Sequence, residues 1–199
     1  MTLTWTEAEK IIKTGQIVVL PTDTIYGLVG QALNKKSVTL LNQIKQRPTD
    51  KAYIILISKI NDLKLFNFNL TKREENILQA LWPGPVSVIL HNPELAKNYP
   101  ELNPQNNSLA FRLPAKPELL NLIKTTGPLL APSANPHKKP EATTIIQAEK
   151  YFNQTVSGYV KSDIEPLINK PSTIVKLTNH DKLEVIRQGS YIIPSIIKN

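Results

Sequence analysis

The segment Val18-Val19-Leu20-Pro21-Thr22-Asp23-Thr24-Ile25-Tyr26-Gly27-Leu28 runs from apolar residues into three small oxygen-bearing side chains, then Tyr26 and Gly27. Proline ends a ladder because it has no N–H to donate. Thr and Asp offer hydrogen bonds to a ligand or to their own backbone, and Gly lets the chain bend. The pattern reads as a strand delivering a polar turn into a pocket, or as a strand followed by an ordinary turn. Farther on, Lys45-Gln46-Arg47-Pro48-Thr49-Asp50-Lys51 sets three cations within seven residues. Fixed cations suit a triphosphate, whose charge shifts during phosphoryl or nucleotidyl transfer. The same residues also read as the solvated basic end of a helix, favourable to its dipole. Ser108 leads along an apolar run to Arg112, and Ser133-Ala134-Asn135 between two prolines makes a third polar turn.

Other chemistries are absent from the pattern. There is no Gly-x-x-x-x-Gly-Lys-Ser/Thr loop and no Gly-x-Gly-x-x-Gly, so a nucleotide would be held by side chains and strand-end backbone. His91, His137 and His180 lack metal-ligand spacing, and no Ser-His-Asp or Cys-His arrangement is suggested. A metal would have to arrive with the nucleotide.

The elements that must position these residues alternate in period. Thr6–Lys13 reads as a short helix capped by Thr6 and ending before Gly15, and Ile17–Leu20 as a strand. Ile25–Ala32 is a second extended segment, and Asn34 caps a helix over Lys35–Gln46 with Val38, Leu41 and Ile44 on one side. Ala52–Ser58 is a near-continuous apolar strand. Thr71 and Glu74 have capping-box spacing for a helix through Leu81, which Pro83-Gly84-Pro85 ends. Val86–Leu90 and Leu109–Leu113 read as strands, joined by a Pro- and Asn-rich loop over His91–Asn107 that is expected to be mobile or functional. Pro117 opens a helix that Gly127 closes, Leu129–Ala131 is a short strand, and Thr143 or Thr144 caps a helix to about Phe152. Ser172–Leu177 and Leu183–Arg187 close the chain as strands. The expected fold is one α/β domain over residues 1–199 with a mixed sheet, because several connections are too short for helical crossovers.

Composition agrees. A chain of 199 residues with 41% hydrophobic and 20% charged residues can bury a sizeable core. No apolar run approaches membrane-spanning length, no secretory signal pattern is present, and zero cysteines exclude disulfides and thiolate metal sites. A soluble, cytoplasmic protein without a membrane partner is expected. The net charge of +8 points to polyanions, nucleotide or RNA, without choosing between them.

Pro21-Thr22-Asp23-Thr24-Ile25-Tyr26-Gly27, Lys45-x-Arg47-x-x-x-Lys51, Ser133-x-Asn135, Ser172-Thr173-Ile174-Val175 and Arg187-x-Gly189 together resemble, in order, the signatures of the YrdC family of threonylcarbamoyl-adenylate synthases, over about Thr6 to Gly189. The resemblance implies a twisted, open mixed sheet with flanking helices around a basic concave cavity. It implies a nucleotidyltransferase reaction in which L-threonine, bicarbonate and ATP give threonylcarbamoyl-AMP and pyrophosphate. This is the first step of N6-threonylcarbamoyladenosine formation in tRNA, with Mg2+ arriving on ATP and a downstream threonylcarbamoyl transferase taking the product. Carried over by motif position, the ATP contacts are Lys45, Arg47, Lys51, Ser108, Ser133, Asn135 and Arg187, with Lys45 and Arg47 the catalytic pair. Threonine is met by Thr24, Tyr26, Arg112, the Ala131 backbone and Ser172. An Arg fork suits a carboxylate, although a structural ion pair is the alternative for Arg112.

The chain departs from the family pattern at His137-Lys138, where a small residue and Gly are usual, and over Ile164–Lys170, which has no Gly. Two alternatives stand beside the enzyme. One is a same-fold paralogue, or the related domain of carbamoyl-handling hydrogenase-maturation enzymes, that binds nucleotide or RNA without making an adenylate. The other is a double-stranded RNA binder acting through phosphate contacts.

Overall fold

The computed structural model describes residues 1–45, 53–102, 107–136, 138–164, 170–178 and 182–194. In chain order the elements are β1 (Thr2–Leu3), α1 (Trp5–Lys13), β2 (Val18–Pro21), β3 (Tyr26–Gln31), α2 (Lys35–Lys45), β4 (Ile54–Leu56), α3 (Lys72–Leu81), β5 (Val86–His91) and α4 (Leu95–Asn98). They continue with β6 (Ser108–Arg112), α5 (Pro117–Thr126), β7 (Leu129–Leu130), α6 (Ile145–Phe152), β8 (Tyr159–Val160), β9 (Thr173–Leu177) and β10 (Leu183–Arg187).

Local chemistry sets the helix starts. The Thr71 hydroxyl accepts from Glu74 N while the Glu74 carboxylate accepts from Thr71 N at 2.7 Å, the capping box its spacing anticipates. Asn34 Oδ1 accepts from the backbone of Lys36 and Ser37 at the start of α2. In α1 the cap is Thr4, not Thr6: Thr4 stands three residues before Glu7, and the two satisfy each other's backbone N–H groups. The expected loop over His91–Asn107 is also corrected in its described part. It carries α4 and a 3-10 turn at Pro100–Leu102, because Leu95 and Leu102 bury themselves in the core despite their polar neighbours.

The strands form one sheet in the order β1-β8-β2-β3-β7-β4-β6-β5-β9-β10, with parallel and antiparallel pairs mixed. Side chains alternate between its two faces. One face packs on α2, α3, α6 and the 3-10 segment Ile60–Phe66 through a large core that includes Val19, Leu28, Ile55, Phe111, Val88 and Val175. The opposite face is covered by α1 and α5 through Ala8, Ile12, Leu119, Leu122 and Ile123, which meet Val18, Leu20, Val29, Leu56 and Leu129. That second core contains no residue of β5, β6, β9 or β10. On this half the register brings Ile89 opposite Ala110, Ser87 beside Ile174, and His91 opposite Ser108; Ser87 and Ala110 are buried, and His91 and Lys176 are exposed. Among the described residues α1 and α5 do not reach this half, which carries isoleucines beside small and polar side chains and is bounded on one side by the α1/α5 layer. Among the described residues, no helix is long and apolar enough to cross a membrane.

Candidate active site

The turn after β2 is built by Thr22. Its hydroxyl donates to Ile25 O at 2.7 Å and accepts from the backbone N–H groups of Thr24 and Ile25. With that proton committed, the 3.0 Å contact between the Thr22 and Thr24 hydroxyls has Thr24 as donor. Thr24 Oγ1 in turn accepts from Arg112 Nη1 at 2.9 Å. The chain Arg112→Thr24→Thr22→Ile25 carbonyl polarises each member and leaves the Thr24 oxygen able to accept once more.

Arg112 ends β6 and is only 4% exposed. Its Nη2 lies 3.2 Å from Asp23 Oδ1, and the other Asp23 oxygen accepts from Ala115 N, so Asp23 fixes both the guanidinium and the chain beyond β6. Burial pushes the Arg112 pKa down, Asp23 opposes the shift, and the nearby Arg187 charge adds to it. Arg112 Nε is buried and has no hydrogen-bond partner among the described residues. A buried guanidinium with an unused donor is costly to leave without an acceptor, and an anion beside it would supply one.

Arg187 reaches the same pocket through a β-bulge. Leu183 to Val185 pair in step with Leu177 to Val175, but Arg187 then pairs with Ile174, leaving Ile186 as the extra residue. In an unbroken ladder Arg187 would oppose Thr173, on the core side. The bulge turns it to the face of Ile174 and Ser172. Its Nη2 donates to Ser172 O at 2.8 Å, and the Ser172 hydroxyl pairs with that of Ser87. Burial lowers the Arg187 pKa and the Glu141 carboxylate raises it.

Gly189 locks this corner. A Cβ there would lie 2.1 Å from Pro171 O and 2.5 Å from Thr173 N, so no other residue lets the chain pass so close. The buried Thr173 hydroxyl collects Gly189 N, Tyr191 N and Tyr191 O.

The third turn, Ser133–Asn135, is held by Lys45. The Lys45 ammonium donates to Ser133 O at 2.6 Å, to Asn135 O at 2.5 Å and to Asn135 Oδ1 at 2.7 Å. The lysine is 8% exposed at the end of α2. Asn135 passes the constraint on: Oδ1 also accepts from the Ser133 hydroxyl, and Nδ2 donates to Lys139 O.

One pocket is thereby lined by Thr22, Thr24, Tyr26, Arg112, Ala131, Ser133, Glu141, Ser172 and Arg187. The structure brings together Thr24, Tyr26, Arg112, Ala131, Ser133, Ser172 and Arg187 of the sequence-predicted residues, with Lys45 and Asn135 one step behind through the turn they hold. Tyr26 is buried, and its hydroxyl accepts from Ser162 N. Ser108 does not line the pocket. It begins β6 on the same face as Arg112, about 13 Å away at some 3.3 Å per residue, so only an extended ligand lying along the half-face of β5, β6 and β9 could meet both. Arg47, Lys51 and His137 lie outside the described residues, as does most of Ile164–Lys170. Glu141 was missed by the sequence reading, since a lone acid in a polar loop carries no periodic or motif signal. Among the described residues no group of three or more His, Asp or Glu side chains is placed to hold a metal ion.

The profile of the Sua5_yciO_yrdC family, described as Telomere recombination, matches residues 10–189. The chain is similar to the threonylcarbamoyl-AMP synthase of Pyrococcus abyssi, 29% identical over 192 residues that make 96% of this chain and 55% of that protein. It is also similar to the enzyme of that name from Hahella chejuensis, 27% identical over 169 residues, 84% of this chain and 90% of the relative. Among solved structures, P. abyssi Sua5 complexed with L-threonine superposes with a TM-score of 0.82 at 29% identity, over 93% of this chain and 54% of that one. E. coli YciO, at 22% identity over 93% of this chain and 88% of its own with a TM-score of 0.79, shares the fold. The chain thus spans little more than half the length of the P. abyssi protein.

Proposed function

The chain belongs to the Sua5/YciO/YrdC family, and from that membership we propose that it is an L-threonylcarbamoyl-AMP synthase. The observation that carries this reading is the buried Arg112–Thr24 pair on the pocket wall: a guanidinium beside a hydroxyl that can still accept. Phosphate-only affinity needs neither, whereas a hydroxylated α-amino acid matches both. Arg112 takes the threonine carboxylate, Thr24 accepts from the side-chain hydroxyl, and Ser172 and the Ala131 backbone close the subsite. A relative crystallised with L-threonine supports the same substrate.

ATP lies along the half-face of β5, β6 and β9, with Arg187, Ser133 and Asn135 near its phosphates, Ser108 farther along the strand, Arg47 and Lys51 supplying charge, and Lys45 holding the Ser133–Asn135 turn in place. Bound to the triphosphate as part of the substrate, Mg2+ would supply neutralisation of the phosphate oxygens. Threonine's α-ammonium loses a proton to solvent, the free amine bonds to the bicarbonate carbon as the C–OH bond breaks and water leaves, and an oxygen of the resulting carbamate attacks the α-phosphorus as the bond to pyrophosphate breaks. Among the described residues no His or Cys lines the pocket to act as nucleophile, and the protein's contribution is positioning and preorganised charge. A downstream transferase then delivers the threonylcarbamoyl group to tRNA.

The product itself is the test. With ATP, L-threonine and 13C-bicarbonate, mass spectrometry should find threonylcarbamoyl-AMP carrying one heavy carbon. A same-fold binder of nucleotide or RNA would give none.

A further inference from the structure

Glu141 is the carboxylate that lines the pocket alongside Arg112 and Arg187. It makes no hydrogen bond and no close ion pair among the described residues, although its charge is felt at Arg187. Its placement is nonetheless fixed on both sides. Two residues before it, Lys139 O accepts from Asn135 Nδ2, and immediately after it, Ala142 N donates to Ala134 O at 3.1 Å. Asn135 and its turn are in turn clamped by the Lys45 ammonium. A half-buried carboxylate is therefore held over the pocket by a hydrogen-bonded frame that leaves its own oxygens unused.

The pocket thus sets two groups of opposite charge on one wall, the buried Arg112 guanidinium and the Glu141 carboxylate, which makes no hydrogen bond among the described residues. Arg112 already has Asp23 as its counter-ion behind the pocket, so Glu141 is not needed to neutralise it. Two such groups fit a zwitterion, with carboxylate at one end and ammonium at the other. We propose that Glu141 receives the α-ammonium of the amino acid whose carboxylate Arg112 holds, making it a substrate-binding residue that selects α-amino acids over hydroxy acids of the same shape. This rests on the amino-acid reading of the site. It adds how the nitrogen is oriented before it loses a proton and attacks: the Glu141 carboxylate holds the ammonium end, while Arg112 and Thr24 hold the other two groups of threonine.

The test is calorimetric titration of the full chain, in the presence of a non-hydrolysable ATP analogue, with L-threonine and with (R)-3-hydroxybutyrate, which lacks only the amine. Glu141→Gln should weaken L-threonine by about tenfold or more, as expected for a charge-assisted hydrogen bond, and leave (R)-3-hydroxybutyrate within about twofold of wild type. Glu141→Asp should recover part of the loss. Glu141 makes no hydrogen bond among the described residues, so these variants remove none there; what Glu141→Gln does remove is the charge felt at Arg187, which the titration of the ATP analogue reads. Wild-type binding of L-threonine with an unchanged Glu141→Gln variant overturns this proposal alone. So does equal loss of both ligands, or a change confined to the ATP analogue, which would make Glu141 a partner of Arg187 or of the nucleotide's cation. Failure of the wild-type chain to bind L-threonine overturns the amino-acid reading itself, and this proposal with it.

Discussion

Arg112 and Thr24 stand 88 residues apart in the chain, yet Nη1 of one donates to Oγ1 of the other at 2.9 Å inside the protein. The turn after β2 and the end of β6 are thereby tied into one subsite, with Asp23 bracing the guanidinium from the same turn. Replacement of Arg112 by lysine removes the bidentate fork while keeping the charge. Arg112→Lys should raise the KM for L-threonine by about tenfold or more, with a much smaller change in the KM for ATP. Equal losses for both substrates in steady-state kinetics would return Arg112 to a structural ion pair.

Lys45 serves the site through the turn it grips. Lys45→Ala removes one charged donor from three part-buried oxygens of Ser133 and Asn135, of which Ser133 O keeps Asn135 N and Asn135 Oδ1 keeps the Ser133 hydroxyl, a loss of about 1–2 kcal/mol. The urea midpoint should fall accordingly, and turnover with it, because Ser133, Asn135 and the loop bearing Glu141 lose their frame. An unchanged midpoint with lost turnover would place the Lys45 ammonium on the nucleotide instead.

Gly189 makes a third prediction. Its missing Cβ is what allows the chain to lie against Pro171–Thr173, so Gly189→Ala must displace Ser172 or Arg187. Overpacking of this kind costs about 1–3 kcal/mol, which for a chain of this size is a fall of roughly 2–4 °C in Tm per kcal/mol. The KM for ATP should rise as Arg187 shifts. Wild-type Tm and kinetics in the variant would contradict the packing argument.

How much of this was legible in the sequence follows from how local each feature is. The Thr71–Glu74 box, the Asn34 cap and the Thr22–Thr24 turn are set by neighbours within a few residues, and the chain writes them openly. The bulge at Ile186 and the grip of Lys45 on a turn some ninety residues away are set by partners no spacing reveals. Lys45 therefore read as one cation of a basic cluster. Strands β1 and β8 are two residues each, too short to show a period, and exist because each pairs with the other and β8 with β2. The Pro- and Asn-rich stretch after β5 misled because two well-spaced leucines outweigh its polar composition.

Tyr159 provides a pH test away from the site. Burial, with a lesser contribution from Glu149, raises its pKa from 10.0 to about 12, and its hydroxyl donates to Asn153 O. The folded state holds this proton more tightly than the unfolded state. The stability it contributes is therefore full below pH 10 and is lost as pH rises from about 10 to about 12. In Tyr159→Phe that alkaline loss should shrink, at the cost of about 1 kcal/mol at neutral pH from the missing hydrogen bond. Identical stability profiles for the two proteins between pH 9 and 12 would refute it.

The central claim is that an amino acid sits at Arg112 and Thr24 and is activated through ATP. The most direct measurement is pyrophosphate release from Mg-ATP and bicarbonate, with and without L-threonine. The account predicts release that depends on L-threonine and falls sharply in Arg112→Lys. Release that is the same without threonine, or no release under any combination of these substrates, would contradict it.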